Sequence, residues 1–216
     1  MPTIHTAGLL LFGDRQGSAL PGGAVLVAGR GSGTVGPYEE LAQAHPDARV
    51  RRWPGLIAPG LVNPYGPELL EGAYHPDPRE AGELGTEPIS GAALAALPMT
   101  DARWGASARR GVQRMLAHGT VAVAGALWRP AVLDAVHRAG LRAEERLEVP
   151  PGPPALDPLA GRSRLAEAVL TPLSPHAGVL FGFAVFDAPD EAALLERGAG
   201  CCVATVLGGR LVHRRR

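Results

Sequence analysis

Lysine is absent from this chain: all 21 basic residues are arginine. No lysine is there to form a Schiff base, to act as a general base, or to be carboxylated between two metals. Cysteine is almost absent too, and the two present, Cys201 and Cys202, are adjacent, so no disulfide framework is expected. As neighbours on a strand they would point to opposite faces, which disfavours a shared metal or a catalytic dyad. Net charge is zero, with 21 acidic residues against 21 arginines, and this excludes the basic imbalance of a nucleic-acid-binding protein. Long apolar runs are lacking as well. The stretch 7–12 is too short for a membrane span or a signal core and has no basic flank, so a cytoplasmic, soluble protein is expected, with no membrane partner.

What is present is punctuated by glycine and proline. Ala24 to Ala28 is apolar and strand-like, and a glycine-rich stretch, Gly31-Ser32-Gly33-Thr34-Val35-Gly36, follows it. That stretch matches G-x-G-x-x-G, the loop that brings backbone N–H groups to a pyrophosphate. Pro37 after the last glycine and the arginines at 49, 51 and 52, with no clear acidic group for a ribose, favour instead a hairpin whose glycines are turn residues. Further on, 106–118 places Ala108, Val112, Met115 and Leu116 at helical spacing. Gly119 is a natural cap, and Thr120 to Ala124 is a short apolar strand. Pro130 opens a second helix through Val132, Leu133 and Val136 that stops at Gly140, and 141–149 reads as another strand. The succession predicts a parallel βαβ unit. It ends at Pro150-Pro151-Gly152-Pro153-Pro154, which reads as a stiff connector.

Pro59-Gly60-Leu61-Val62-Asn63-Pro64 resembles the entry to the first barrel strand of the amidohydrolase superfamily. The hairpin ending at Val35-Gly36-Pro37, the strand Phe183 to Asp187, and the closing stretch Val203 to Val212 are similar to the flanking pieces of that family in the same order. The nearest flavour is the composite β-domain of imidazolonepropionase and aminodeoxyfutalosine deaminase. The resemblance implies a mixed α/β fold. Residues 1–58 with 177–216 would form a composite β-domain built from both termini. Residues 59–149 would be a remnant βα layer, and 150–176 a proline-rich linker with a short helix. A complete (β/α)8 barrel takes about 250 residues, so a chain of 216 leaves room for only part of one. The ancestral activity implied is hydrolysis of non-peptide carbon–nitrogen bonds. Tyr65-Gly66-Pro67 stands where the family carries His-x-His, however, so its metal mechanism is not expected, and neither a metal nor another cofactor is assigned.

Polar groups concentrate after the barrel entrance, above all in His75-Pro76-Asp77-Pro78-Arg79, where two prolines restrict the backbone and leave three polar side chains. His75 assisted by Asp77, with Tyr74, is the candidate catalytic set for moving a proton. Arg79, Asn63, Tyr65 and Glu80 are the candidate groups for binding a small anionic substrate. The same residues also fit ordinary loop duties: Asp and Pro form turns, His75 can bond the backbone, and Asn63 can lock a turn. Three functions follow: a degenerate amidohydrolase-like enzyme, a non-catalytic module binding a small molecule or a protein, or an accessory subunit. A shortened barrel would expose the edge of a strand such as Val121 to Ala124, and a symmetric homodimer is the expected cover.

Overall fold

Strand alternation at the N-terminus sets the first layer. The computed structural model describes residues 1–29, 31–146, 152–175, 178–179 and 182–215. Arg30 of the hairpin turn, 147–149 of the expected strand, Pro150 and Pro151 of the connector, His176 and Arg216 lie outside the described residues. The chain divides into two compact units, one of 1–62, 116–121 and 157–216, the other of 63–115 and 122–156.

In the first unit, Gly23–Val27 pairs antiparallel with Ser32–Pro37, as the hairpin reading requires and a phosphate-binding turn between parallel strands does not. Thr3–Thr6 joins the other side of Gly23–Val27, and Arg49–Arg52 runs parallel to Thr3–Thr6 at the edge. Ile4, Ala24 and Leu26 face the helix Tyr38–Ala44 through Leu41. Val25, Val27 and Val35 face the other way, into a core shared with Ile57, Phe183, Val185, Ala204 and Val206 of a second sheet. This second sheet has the order Arg210–Arg214, Cys202–Leu207, Gly182–Phe186, Leu56–Pro59, Leu9–Leu11, Ala19–Pro21, so strands from both ends of the chain interleave. Its outer face buries Leu56, Ala184 and Phe186 against Leu159, Leu165 and Leu194. Each large apolar side chain among them contributes about 1.5–3 kcal/mol on leaving water.

The second unit is built around the helix Asp101–Leu116, five residues longer at its start than the apolar spacing indicates. Its buried stripe is Trp104, Ala108, Val112 and Met115. The helix Pro130–Ala139 ends where expected, with Gly140 left-handed at φ 85°. Thr120–Ala124 and Arg142–Glu144 pair in parallel, the βαβ unit read from the sequence. All five residues of Thr120–Ala124 are buried within this chain, so the expected exposure of that strand is not found. Among the described residues the fold is mixed α/β with sheets of six, five, three and two strands, none closed into a barrel. No described helix is long and apolar enough to cross a membrane.

Candidate functional site

The loop after Ala73–Tyr74 is locked by its own side chains. Asp77 caps a short 3-10 turn, accepting from the Arg79 N–H at 3.0 Å, while Glu80 reaches back to accept from the Asp77 N–H at 3.0 Å. The Tyr74 hydroxyl donates to Glu80 and accepts from Arg103 Nε at 3.1 Å. Arg103 also pairs with Glu80 at 2.9 Å, and Arg110 pairs with Asp77 at 3.3 Å. Both guanidiniums lie over the Tyr74 ring. Hydrogen bonds from Tyr74 and the Asp77 N–H, with Arg103 beside them, hold the Glu80 carboxyl below its usual range.

His75 is placed differently from expectation. It is fully buried, its Nε2–H donates to the Leu69 carbonyl at 2.8 Å, and its Nδ1 is buried with no hydrogen-bond partner among the described residues. A Cβ on Gly111 would lie 2.7 Å from Nε2, so the helix passes against the ring. Burial foremost, then Arg114 and Arg110, push the imidazole below its ordinary pKa and outweigh the opposing Leu69 bond. The expected His75–Asp77 relay is therefore not formed: the ring bonds backbone inside the unit, and Asp77 serves the cap and Arg110. Tyr74, Asp77 and Glu80 are brought together; Arg79 is exposed and meets them only through its backbone. Arg103 and Arg110 complete this network, and nothing in the sequence singles them out. They lie 29 and 36 residues beyond Tyr74, on the polar flank of a helix whose apolar stripe alone is legible.

Asn63 and Tyr65 sit apart from that loop. Asn63 is fully buried; its amide donates to the carbonyls of Ala155 and Leu156 at 2.9 and 3.2 Å and its oxygen accepts the Tyr65 N–H at 2.9 Å. The Tyr65 hydroxyl reaches the Gly152 carbonyl at 3.5 Å. The segment 152–156 thus lies across the end of the strand Leu61–Asn63 and engages the Asn63 amide and the Tyr65 hydroxyl. Replacing Asn63 with alanine is expected to cost about 2–3 kcal/mol, because the buried Tyr65 N–H loses its acceptor and two part-buried carbonyls lose their donor. Urea unfolding measures that cost, and faster proteolytic cleavage within 152–156 accompanies it. An unchanged midpoint and cleavage rate would contradict this role.

One open groove of about 540 Å³ lies at the carboxyl ends of the parallel strands Thr120–Ala124 and Arg142–Glu144. Ala126, Leu127 and Leu133 form its apolar wall, and Glu144, Glu145 and Arg146 its polar one. Glu144 pairs with Arg142 at 2.5 Å, and Arg146 pairs with Glu68 at 2.7 Å and the Pro64 carbonyl at 3.0 Å. Glu145 is exposed and makes no ion pair with another described residue. The loop between strand and helix is pinned, since Glu71 accepts the N–H groups of Trp128 and Arg129 at 2.9 and 2.6 Å. Trp128 itself is 82% exposed. Among the described residues no three His, Cys, Asp or Glu side chains converge to hold a metal ion.

No protein-family model matches this chain, and no curated protein does. Among solved structures it is similar to A. niger ochratoxinase, with 20% identity and a TM-score of 0.44 over 67% of this chain and 30% of that one. It is similar to a Xanthomonas campestris adenosine deaminase with bound zinc, with 20% identity and a TM-score of 0.45 over 65% of this chain and 32% of that one. For Helicobacter pylori aminofutalosine deaminase the values are 12% and 0.42, over 66% of this chain and 32% of that one. The chain spans about a third of the length of each of these structures.

Proposed function

We propose that this chain is an amidohydrolase-like binding protein that holds a small nitrogen-bearing cation in the groove at the carboxyl ends of Thr120–Ala124 and Arg142–Glu144. On this reading it does not carry out the metal-dependent hydrolysis of carbon–nitrogen bonds that its sequence pattern resembles. The observation that carries the reading is how polar groups are used at the strand ends. Asn63 and Tyr65 serve the segment 152–156, and in the chain Tyr65-Gly66-Pro67 stands where the sequence resemblance would put His-x-His. A Cβ on Gly125 would lie 2.6 Å from the Pro67 ring, so protein fills that space. The groove is open, its aliphatic wall can cover a ligand's apolar body, and Glu145 is the charge left to recognise a cation. Around His75, by contrast, the carboxylates are engaged with Tyr74, Arg103 and Arg110.

Titration calorimetry with benzamidine and benzylamine, with benzoate as the charge-reversed probe, tests the reading. The cations bind, benzoate does not, and Glu145→Gln weakens cation binding about tenfold, the loss of a charge-assisted hydrogen bond. Preference for benzoate, or indifference to Glu145→Gln, overturns the ligand assignment. Stoichiometric metal in protein purified without chelator, together with turnover of an amide or aminated base, overturns the non-hydrolytic part.

A further inference from the structure

We propose that the first unit carries a second binding site, an anion site formed by Arg49, Arg51 and Arg214 around Trp53 at the open edge between its two sheets, which takes a multiply charged phosphate. Strand register places the arginines. Arg49–Arg52 runs parallel to Thr3–Thr6 with Thr3 beside Arg49 and His5 beside Arg51. His5 is buried and its ring meets Trp53 and Phe183, so the face it shares with Arg49 and Arg51 is turned toward the second sheet. Arg52, one position on, points the other way, donating to the Tyr38 hydroxyl at 2.8 Å and lying over its ring. Arg214 comes from the edge strand of the second sheet. It pairs with Ala204, whose side chain lies in the core between the sheets, and its guanidinium carbon is 5.6 Å from the centre of the Trp53 ring.

Among the described residues these three cations are gathered without a countercharge. None takes part in an ion pair with another described residue. Glu39 and Glu40 belong to the helix that covers the opposite face of the first sheet through Leu41. Partial burial, then Arg49 and Arg214, lower the proton affinity of Arg51, which places the three within electrostatic reach of one another. The platform between them is rigid: Trp53 donates its indole N–H to His5 Nδ1 at 3.1 Å and its backbone N–H to the Thr6 carbonyl at 2.9 Å. Three guanidiniums offer forked donors that match phosphate oxygens, and a di- or trianion relieves their repulsion.

Titration calorimetry on the full chain with tripolyphosphate and with ATP, at 50 mM and 300 mM salt, is the test. Saturable binding is expected at low salt and weakens as salt rises. The double variant Arg51→Gln/Arg214→Gln weakens it at least tenfold, and Arg49→Gln, at an exposed position, at least threefold. Arg138→Gln, which removes an exposed arginine on the helix Pro130–Ala139 of the second unit, leaves affinity within twofold. ATP binding well above tripolyphosphate identifies a nucleotide as the source of the phosphate, and equal binding identifies the phosphate chain alone; both support the site. Absence of saturable binding overturns it, as does an equal loss in Arg138→Gln. It is also overturned if the double variant self-associates with unchanged affinity, the result expected of arginines that only guard sheet edges. If the double variant fails to fold, Arg49→Gln decides: a loss of at least threefold supports the site, and unchanged affinity overturns it.

Discussion

Gly55→Ala is expected to lose about 2–5 kcal/mol of stability, a large share of the ~5–15 kcal/mol available to a typical domain. Gly55 has φ of 66°, and a Cβ there would stand 2.1 Å from the Phe186 carbonyl oxygen, 2.8 Å from the Ala188 nitrogen and 2.9 Å from its oxygen. All three atoms are backbone. The neighbouring residues Leu56 and Phe186 pair across two central strands, so the clash cannot be relieved without opening that ladder. The left-handed conformation contributes about 1–2 kcal/mol and the overpacking about 1–3 kcal/mol. Gly17→Ala separates the two contributions, because Gly17 has φ of 70° with nothing within 4 Å of a new Cβ. Urea denaturation of both variants checks the expectation; equal losses would show that the packing against Phe186 and Ala188 carries no cost.

Acid is expected to remove about 3 kcal/mol through one histidine. Burial foremost, then Arg51, lower the His5 pKa from 6.5 to about 4 in the folded protein. His5 is 3% exposed and its Nδ1 accepts the Trp53 indole N–H at 3.1 Å, so the folded state holds the ring neutral. Below pH 6.5 the unfolded chain binds a proton that the folded chain does not, and stability falls with pH. The contribution is fully present above pH 6.5, declines as pH drops toward 4, and levels off below it, a span of roughly 2.5 pH units at ~1.4 kcal/mol each. His75 acts in the same direction, being buried and depressed as well. His5→Gln keeps an acceptor for Trp53 and cannot titrate, so its stability curve between pH 6.5 and 4 should be flatter by about 3 kcal/mol. Wild-type stability that holds constant or rises on acidification would contradict the assignment.

The hairpin of Gly23–Val27 with Ser32–Pro37, the helix stopped by Gly140, and the parallel pair Thr120–Ala124 and Arg142–Glu144 are all legible in the chain. Each is set by periodicity and by glycine or proline within a few residues, and local backbone preference needs no distant partner. The start of the Asp101–Leu116 helix is five residues earlier than apolar spacing indicates, because Trp104 is the only large apolar side chain among its first five residues. The loop 75–80 stands out in the chain for its density of polar groups, and those groups do assemble, but in a structural network. Nothing near His75 in the chain indicates that Leu69 would take its ring nitrogen, or that Ser107 and Arg110 would take its backbone.

The groove and the arginine edge show the same division. Glu145 and Arg146 are unremarkable in the chain, and it is the pairing of Arg146 with Glu68, 78 residues away, that leaves Glu145 as the available charge. Arg49, Arg51 and Arg214 come from two strands of different sheets, and strand alternation turns them to one side while Glu39 and Glu40 lie on the other. The sequence by itself determined the hairpin, the strand Thr120–Ala124 and the helix stop at Gly140, because steric preference and apolar spacing act over a few residues. Only the tertiary structure decided which polar side chains are spent on the fold and which are left without an ion pair among the described residues, because hydrogen bonds and charge pairs are settled by distance in space between residues far apart in the chain.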